Sequence, residues 1–239
     1  MDGPERQDHD ALPADLSALG IASAWLPLDG SAQDRLGVAL PPALARAVPK
    51  RQGEFRAGRA AASRALAALG LSAGQDMADP WPRFGADRRP VWPEGCLGSL
   101  SHTDSRVICA AGRAAAFSAI GIDIERPVAA DEAAPLVAQV MDAGEHARAA
   151  EVLGEAAFTA VFSAKEALYK ALHPRLGRFV GFDEVRATPC DAERLRLDLG
   201  PRLARDSGRA AIHARLWHWQ GHVATACILR ADGRDALAP

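Results

Sequence analysis

Lysine is scarce in this chain. Of 28 basic residues only Lys50, Lys165 and Lys170 are lysine, and Tyr169 is the sole tyrosine. The preference for Ala and Arg fits a genome biased towards G and C, so a lysine kept against that bias is informative. Positive charge is not in excess: the formal net charge of -2 gives no global field for nucleic acid or an anionic membrane. Any anion site must be local. The four cysteines, Cys96, Cys109, Cys190 and Cys227, lie far apart, without metal-ligand spacing or a disulfide framework. They read as free thiols of a reducing compartment. No run approaches the ~18 apolar residues of a membrane span. The first residues, MDGPERQDHDALPADL, lack the apolar core of an export signal. A cytoplasmic protein is the expectation.

The composition, 49% apolar and 24% charged over 239 residues, is that of an ordinary globular chain. Such a length permits one large domain, two small ones or a duplicated unit. Residues 1–16 read as a disordered N-terminus. GIASAWLPL (20–28) reads as a strand, and the segment from Pro41 to Gly70 as helical. Residues 72–98 are rich in Pro and Gly and read as loop. RVICAAG (106–112) and AAAFSAIGIDIE (114–125) suggest a hairpin turning at Gly112. Helices are expected over roughly 131–153 and 155–172, the latter stopped by His173-Pro174. The last strands, RAAIHARLWHW and HVATACILR, suggest a second hairpin turning at Gln220-Gly221. A basic helix before a hairpin thus occurs twice. This order suggests two similar α+β halves, 17–126 and 127–232, with a tail at 233–239, and a cleft between the halves as a natural ligand site.

Four stretches carry chemistry. In GIDIE (121–125), Asp123 and Glu125 are two apart on a strand and share a face, about 7 Å from each other. Paired carboxylates suit a hard cation such as magnesium, or form a solvated acidic edge. In FSAKEALYK (162–170), Glu166 and Lys170 are neighbours at i, i+4 on a helix, with Lys165 flanking them at about 100°. Alone, this is also what a surface ion pair looks like. GSLSH (98–102) sets small residues, a hydroxyl and an imidazole at a loop end, after Arg83, Arg88 and Arg89. In KRQGEFRAGR (50–59), Arg51, Arg56 and Arg59 offer guanidinium groups to a phosphate or to solvent.

Together with RPVWPEG (89–95), these motifs resemble, in order and spacing, the Sfp-type 4′-phosphopantetheinyl transferases, in the branch of enterobactin synthase component D. The resemblance spans about residues 20–230. GIDIE followed some forty residues later by FSAKEALYK is its most specific part. It implies an α+β fold of two halves related by a pseudo-twofold axis. The implied activity transfers the phosphopantetheine arm of coenzyme A to a serine of an apo acyl or peptidyl carrier protein, with Mg2+, releasing adenosine 3′,5′-bisphosphate. Siderophore or other secondary-metabolite synthases are the implied setting.

By motif position, Asp123, Glu125 and Glu166 would hold the metal. Glu166 would also be the base for the incoming serine, with Lys170 and Lys165 as catalytic phosphate contacts, one of them assisting the leaving group. Arg51, Arg59, Arg83, Ser101 and His102 would bind the coenzyme A phosphates. Glu145 reads as structural, in a capping box with Asp142. Arg175, Arg178 and Phe179–Phe182 are a candidate rim for the carrier, with an ordinary connecting loop as the alternative. A monomer is expected, with neither nucleic acid nor a membrane span involved. The alternative function is a non-catalytic protein that captures coenzyme A or a carrier. It would be expected to lose an acidic or lysine motif position, and none is lost.

Overall fold

A computed structural model describes residues 14–28, 37–71, 79–85 and 89–238. Helix α1, Ala14–Ala18, begins inside the segment expected to be disordered. Leu16 anchors it, wholly buried among Ile21, Ile108 and Phe117, and Asp15 pairs with Arg215 at 3.1 Å. Strand β1 is Ala22–Pro27. After one 3-10 turn at Pro42–Leu44 comes α2, Pro49–Ala68. Proline at its first turn and Gly70 at φ 73° beyond its end mark its limits. Seven of its eleven buried residues are Ala or Gly, so the helix axis can lie close to the strands beneath.

The loop-like stretch holds a small ribbon, β2 (Arg83–Phe84) and β3 (Pro90–Val91). Arg88 falls outside the described residues. GSLSH is not a loop end: it lies in strand β4, Cys96–His102. Strand β5, Arg106–Arg113, and strand β6, Phe117–Glu125, follow. They do not form the expected hairpin. β5 is the centre of a three-stranded antiparallel sheet, order β1-β5-β4. Gly112 is within that strand rather than at a turn. A methyl there would come 2.7 Å from the Phe117 ring and 3.0 Å from Ile120, so it is a point of close packing. The chain instead crosses to a second sheet through residues 114–116.

The expected helical region after Pro127 is three pieces: α3 (Ala130–Ala133), α4 (Val137–Val140) and α5 (Ala143–Leu153). Asp142 caps α5 by accepting from Glu145 N at 2.8 Å. Helix α6, Ala157–Leu176, runs past His173-Pro174, where a stop was expected. The proline sits in the last turn, where its missing N–H forfeits a single bond. Gly177, left-handed at φ 64°, supplies the actual stop. The remaining elements are β7 (Val185–Asp191), β8 (Arg194–Leu199), α7 (Pro201–Ser207), β9 (Ala211–Trp219) and β10 (His222–Arg230). Gln220 and Gly221 turn β9 into β10 with φ of 48° and 75°, as the sequence suggests.

The second sheet has the order β6-β10-β9-β8-β7, all antiparallel. The fold is therefore α+β, with two similar halves in which a long helix lies on an antiparallel sheet: α2 on the first, α6 on the second. Ser99 and Ser101, on one face of β4, reach across to β6: Ser99 Oγ accepts from Ile122 N at 3.0 Å. The seam between the sheets thus runs beside Asp123.

Candidate active site

Gly121 decides how close α6 comes to β6. A methyl on it would overlap the Ala167 carbonyl oxygen and lie 2.6 Å from Ala171 N. Without that methyl, the helix lies directly on the strand. Glu166 and Lys170 come with it to the acidic face of GIDIE.

Asp123 is 2% exposed. Its Oδ1 accepts from Ser101 Oγ at 2.8 Å and from Lys170 Nζ at 2.6 Å. Lys170 Nζ also donates to Ser101 Oγ at 2.9 Å. A strand of each sheet and the long helix α6 thus meet in one triangle of hydrogen bonds. The other oxygen, Asp123 Oδ2, is buried with no partner. A buried carboxylate oxygen left unmet is uncommon and points to a missing cation or donor.

The two other acids feel the same crowding. Burial, reinforced by the charges of Asp123 and Glu166 and opposed by Lys170, pushes Glu125 up to about 7. Burial also raises Glu166, with Asp123 adding to it and Lys170 opposing. Three carboxylates with mutual repulsion and one orphaned oxygen fit a hard divalent cation. Among the described residues, no three acidic, His or Cys side chains already converge as a metal cage. The Lys170 ammonium is the cation that Asp123 holds here.

On α2, Arg59 is 7% exposed, lies 4.3 Å over the Phe55 ring and has a buried Nε with no partner. Burial and the nearby charge of Arg51 lower it to about 10. A desolvated guanidinium with a spare donor is suited to an anion. Arg51 pairs with Glu54 at 3.3 Å, and the same Glu54 oxygen lies 3.8 Å from His102 Nε2. Glu54 thus ties Arg51 to His102, a role that the sequence reading missed. Its signal was the i, i+3 spacing to Arg51.

Ser101, expected on a coenzyme A phosphate, is instead engaged by Asp123 and Lys170, and two further expected site residues are engaged elsewhere. Arg83 is paired with Asp79 and stacks 4.5 Å over the Trp81 ring, on the small ribbon. Lys165 does not join Lys170. It is 3% exposed and bonded to Glu145 Oε1 at 2.9 Å, on the side of α6 that meets α5. Helical spacing sets its angle from Glu166 but not which direction faces the cleft. Glu145 is structural, as expected, but its carboxylate reaches Lys165 and Ala187 N (2.7 Å) rather than completing a capping box. In the candidate rim, Arg178 is bound to Glu184 at 2.8 Å and to Asp206 at 2.7 Å, so it is not a free cation. Phe179 is 75% exposed and packs on Tyr169.

The chain is thus two helix-on-sheet halves sharing an acid-and-lysine seam, and sequence comparison assigns the family. Residues 40–112 match the family model of the 4′-phosphopantetheinyl transferase N-terminal domain, and residues 119–227 that of the 4′-phosphopantetheinyl transferase superfamily. Enterobactin synthase component D of Salmonella typhi is 32% identical over 175 residues, covering 72% of this chain and 69% of its own. The 4′-phosphopantetheinyl transferase Npt of Nocardia iowensis is 32% identical over 204 residues, 82% of this chain and 81% of its own. PptT of Mycobacterium tuberculosis is 34% identical over 152 residues, 62% of each. The chain belongs to the 4′-phosphopantetheinyl transferase superfamily, and its likeness is to the enterobactin synthase component D branch. No helix among the described residues is long and apolar enough to cross a membrane.

Proposed function

We propose that the chain transfers the 4′-phosphopantetheine group of coenzyme A to a serine of an apo acyl or peptidyl carrier, in siderophore or other secondary-metabolite synthesis. It would act as a cytoplasmic monomer. The observation that carries the site assignment is the Asp123 carboxylate, bonded on one oxygen by Ser101 and Lys170 and orphaned on the other.

In this reading Glu166, raised by burial, takes the proton of the carrier serine. The serine oxygen bonds to the phosphorus that carries the pantetheine arm. The bond to the bridging diphosphate oxygen breaks, and adenosine 3′,5′-bisphosphate leaves. Lys170 is one residue-turn from Glu166 and donates to the phosphate oxygens as charge builds on them. A lysine suits that position because its ammonium can give up a proton, whereas arginine stays charged. Ser101 orients Lys170 and Asp123 together. Arg59, Arg51 and His102 hold the phosphates at the other half, with Glu54 aligning two of them. Magnesium, held by Asp123, Glu125 and Glu166, would supply charge neutralisation of the diphosphate. Arg83 has no role here while Asp79 and Trp81 hold it.

The test mixes purified protein, coenzyme A, Mg2+ and an apo carrier domain, and reads the intact mass of the carrier. One phosphopantetheine should be added, and chelation should stop the addition. No adduct on any of several acyl and peptidyl carriers would sink the reading and leave a binding protein.

A further inference from the structure

Lys165 stands beside Glu166 in the chain, yet its ammonium belongs to a different environment. An ammonium donates three hydrogen bonds and accepts none. Lys165 Nζ lies 2.7 Å from Val140 O, 3.2 Å from Phe182 O and 2.9 Å from Glu145 Oε1. Three donors therefore meet three acceptors. Glu145 Oε1 also accepts from Ala187 N at 2.7 Å. Both side chains are buried, Glu145 to 2% exposure. Through this one pair, α6 is fastened to the end of α4, to α5, to the turn before β7 and to β7 itself.

For Lys165 to reach a phosphate, it would have to release all three acceptors. Glu145 would then be left as a buried carboxylate without a counter-charge, met only by Ala187 N, a costly arrangement. Lys170, by contrast, is only partly buried and shares one carboxylate oxygen with a serine.

Resting on the transferase reading above, we infer that Lys165 is a positioning residue: with Glu145 it sets the seat of α6 so that Glu166 and Lys170 meet Asp123, and it gives no hydrogen bond to coenzyme A.

The inference separates two kinds of loss. Breaking one partner of a buried pair is strongly disruptive, whereas removing both charges is often close to neutral. Lys165→Met, Glu145→Gln and the double variant are compared with the parent for transfer, for melting temperature and for calorimetric binding of adenosine 3′,5′-bisphosphate. Glu145→Gln keeps an oxygen to accept from Ala187 N. Lys165→Met should lower kcat by about tenfold or more, since small misplacements of a catalytic group are expensive. The KM for coenzyme A and the Kd for the bisphosphate should stay within about twofold. Adding Glu145→Gln should restore kcat to within about threefold of the parent and recover melting temperature.

A phosphate ligand behaves otherwise: the bisphosphate Kd rises in Lys165→Met and Glu145→Gln cannot restore it. That result, or parent kcat in Lys165→Met, overturns the inference. If Lys165→Met alone does not fold, the double variant decides: folded and active with parent bisphosphate affinity supports it, and failure to fold or to transfer overturns it. If the parent itself transfers nothing, the transferase reading is what fails. The melting and bisphosphate-binding arms then still judge the pairing.

Discussion

Two faces of one helix offer a controlled comparison. Towards β6, α6 presents Lys170 to an Asp123 carboxylate that keeps one oxygen buried and unmet. Towards α5, five residues earlier, it presents Lys165 to Glu145 and two carbonyls, with every ammonium proton assigned. Both lysines pair with an acid that is 2–3% exposed on its side chain. They differ in completeness. A closed network stabilises one arrangement and has nothing left to give a ligand, while an open one holds polar atoms at a cost that binding can relieve. An orphaned atom alone is not enough. Arg106 Nε is also unpaired, but its guanidinium lies between two rings, 5.1 and 5.6 Å from the Trp25 and Trp219 centres, whereas Arg59, over the single Phe55 ring, stands beside the like charge of Arg51. Asp123 Oδ2 has no such substitute among its described contacts.

The sharpest way to break this contrast is Lys170→Ala. If the open face does the chemistry, transfer should fall by about 10²–10³-fold, the scale for losing one electrostatic contact to a transition state. Circular dichroism should show the fold retained. Unlike the Lys165 variant, it should not be rescued by Glu145→Gln. Full activity of Lys170→Ala would move the chemistry away from this face.

Next in size is Gly121→Ala, which tests the approach of the open face rather than its charges. The methyl would overlap Ala167 O, which is backbone and cannot swing aside. Overpacking of this kind costs about 1–3 kcal/mol or more. A melting temperature several degrees below the parent is expected, since each kcal/mol is worth about 2–4 °C at this size. Transfer should fall as well, because α6 must lift from β6 and carry Glu166 and Lys170 with it. An unchanged melting temperature would mean that the helix seat is set by something other than this contact.

How much of this was legible beforehand follows from the range over which each feature is decided. Gly70 as a stop and Gln220-Gly221 as a turn are local matters, settled by backbone preferences of single residues. The pairing of β6 with β10 instead of β5 is decided a hundred residues away, and Gly112, a packing glycine, looked like a turn. Pro and Gly crowd the residues before GSLSH and suggest a loop end, yet its alternating serines lie in a strand and face β6. Asp123, Glu125, Glu166 and Lys170 were legible because strand and helix periodicities set their faces, and the motif pair joined them. Lys165 was not, because helical geometry fixes an angle of about 100° between neighbours without saying which side is interior. The acceptors that decide it, Val140 O and Phe182 O, are backbone atoms that no side-chain pattern announces.

Arg59 extends the comparison to the other half, where α2 also holds a buried cation with an unmet donor. Arg59→Lys keeps the charge but loses the planar fork and the spare Nε–H. Losing one charge-assisted hydrogen bond should weaken bisphosphate binding by about tenfold while kcat at saturation changes little. A kcat effect without an affinity effect would show that this half takes part in the chemistry itself.

The effect expected to be smallest on transfer itself, because it is read in stability alone, is the most direct measure of the open network. Glu125 is raised to about 7 by burial and by its acidic neighbours, whereas an unfolded glutamate titrates near about 4.3. Between these values the folded chain binds more protons than the unfolded one. Stability from this group is therefore fully present below about 4.3 and is lost as pH rises through about 7. Glu125→Gln is neutral throughout and should be spared that loss. Without divalent cation, its melting temperature should gain more over the parent at pH 8 than at pH 5. Adding magnesium at pH 8 should narrow the gap, since a cation that binds only the folded parent stabilises it by mass action. A gap independent of pH would mean that Glu125 is not ionising under constraint. A gap that persists with magnesium would mean that the repulsion among these carboxylates is not what a cation relieves, and the open face would lose its assignment as the metal site.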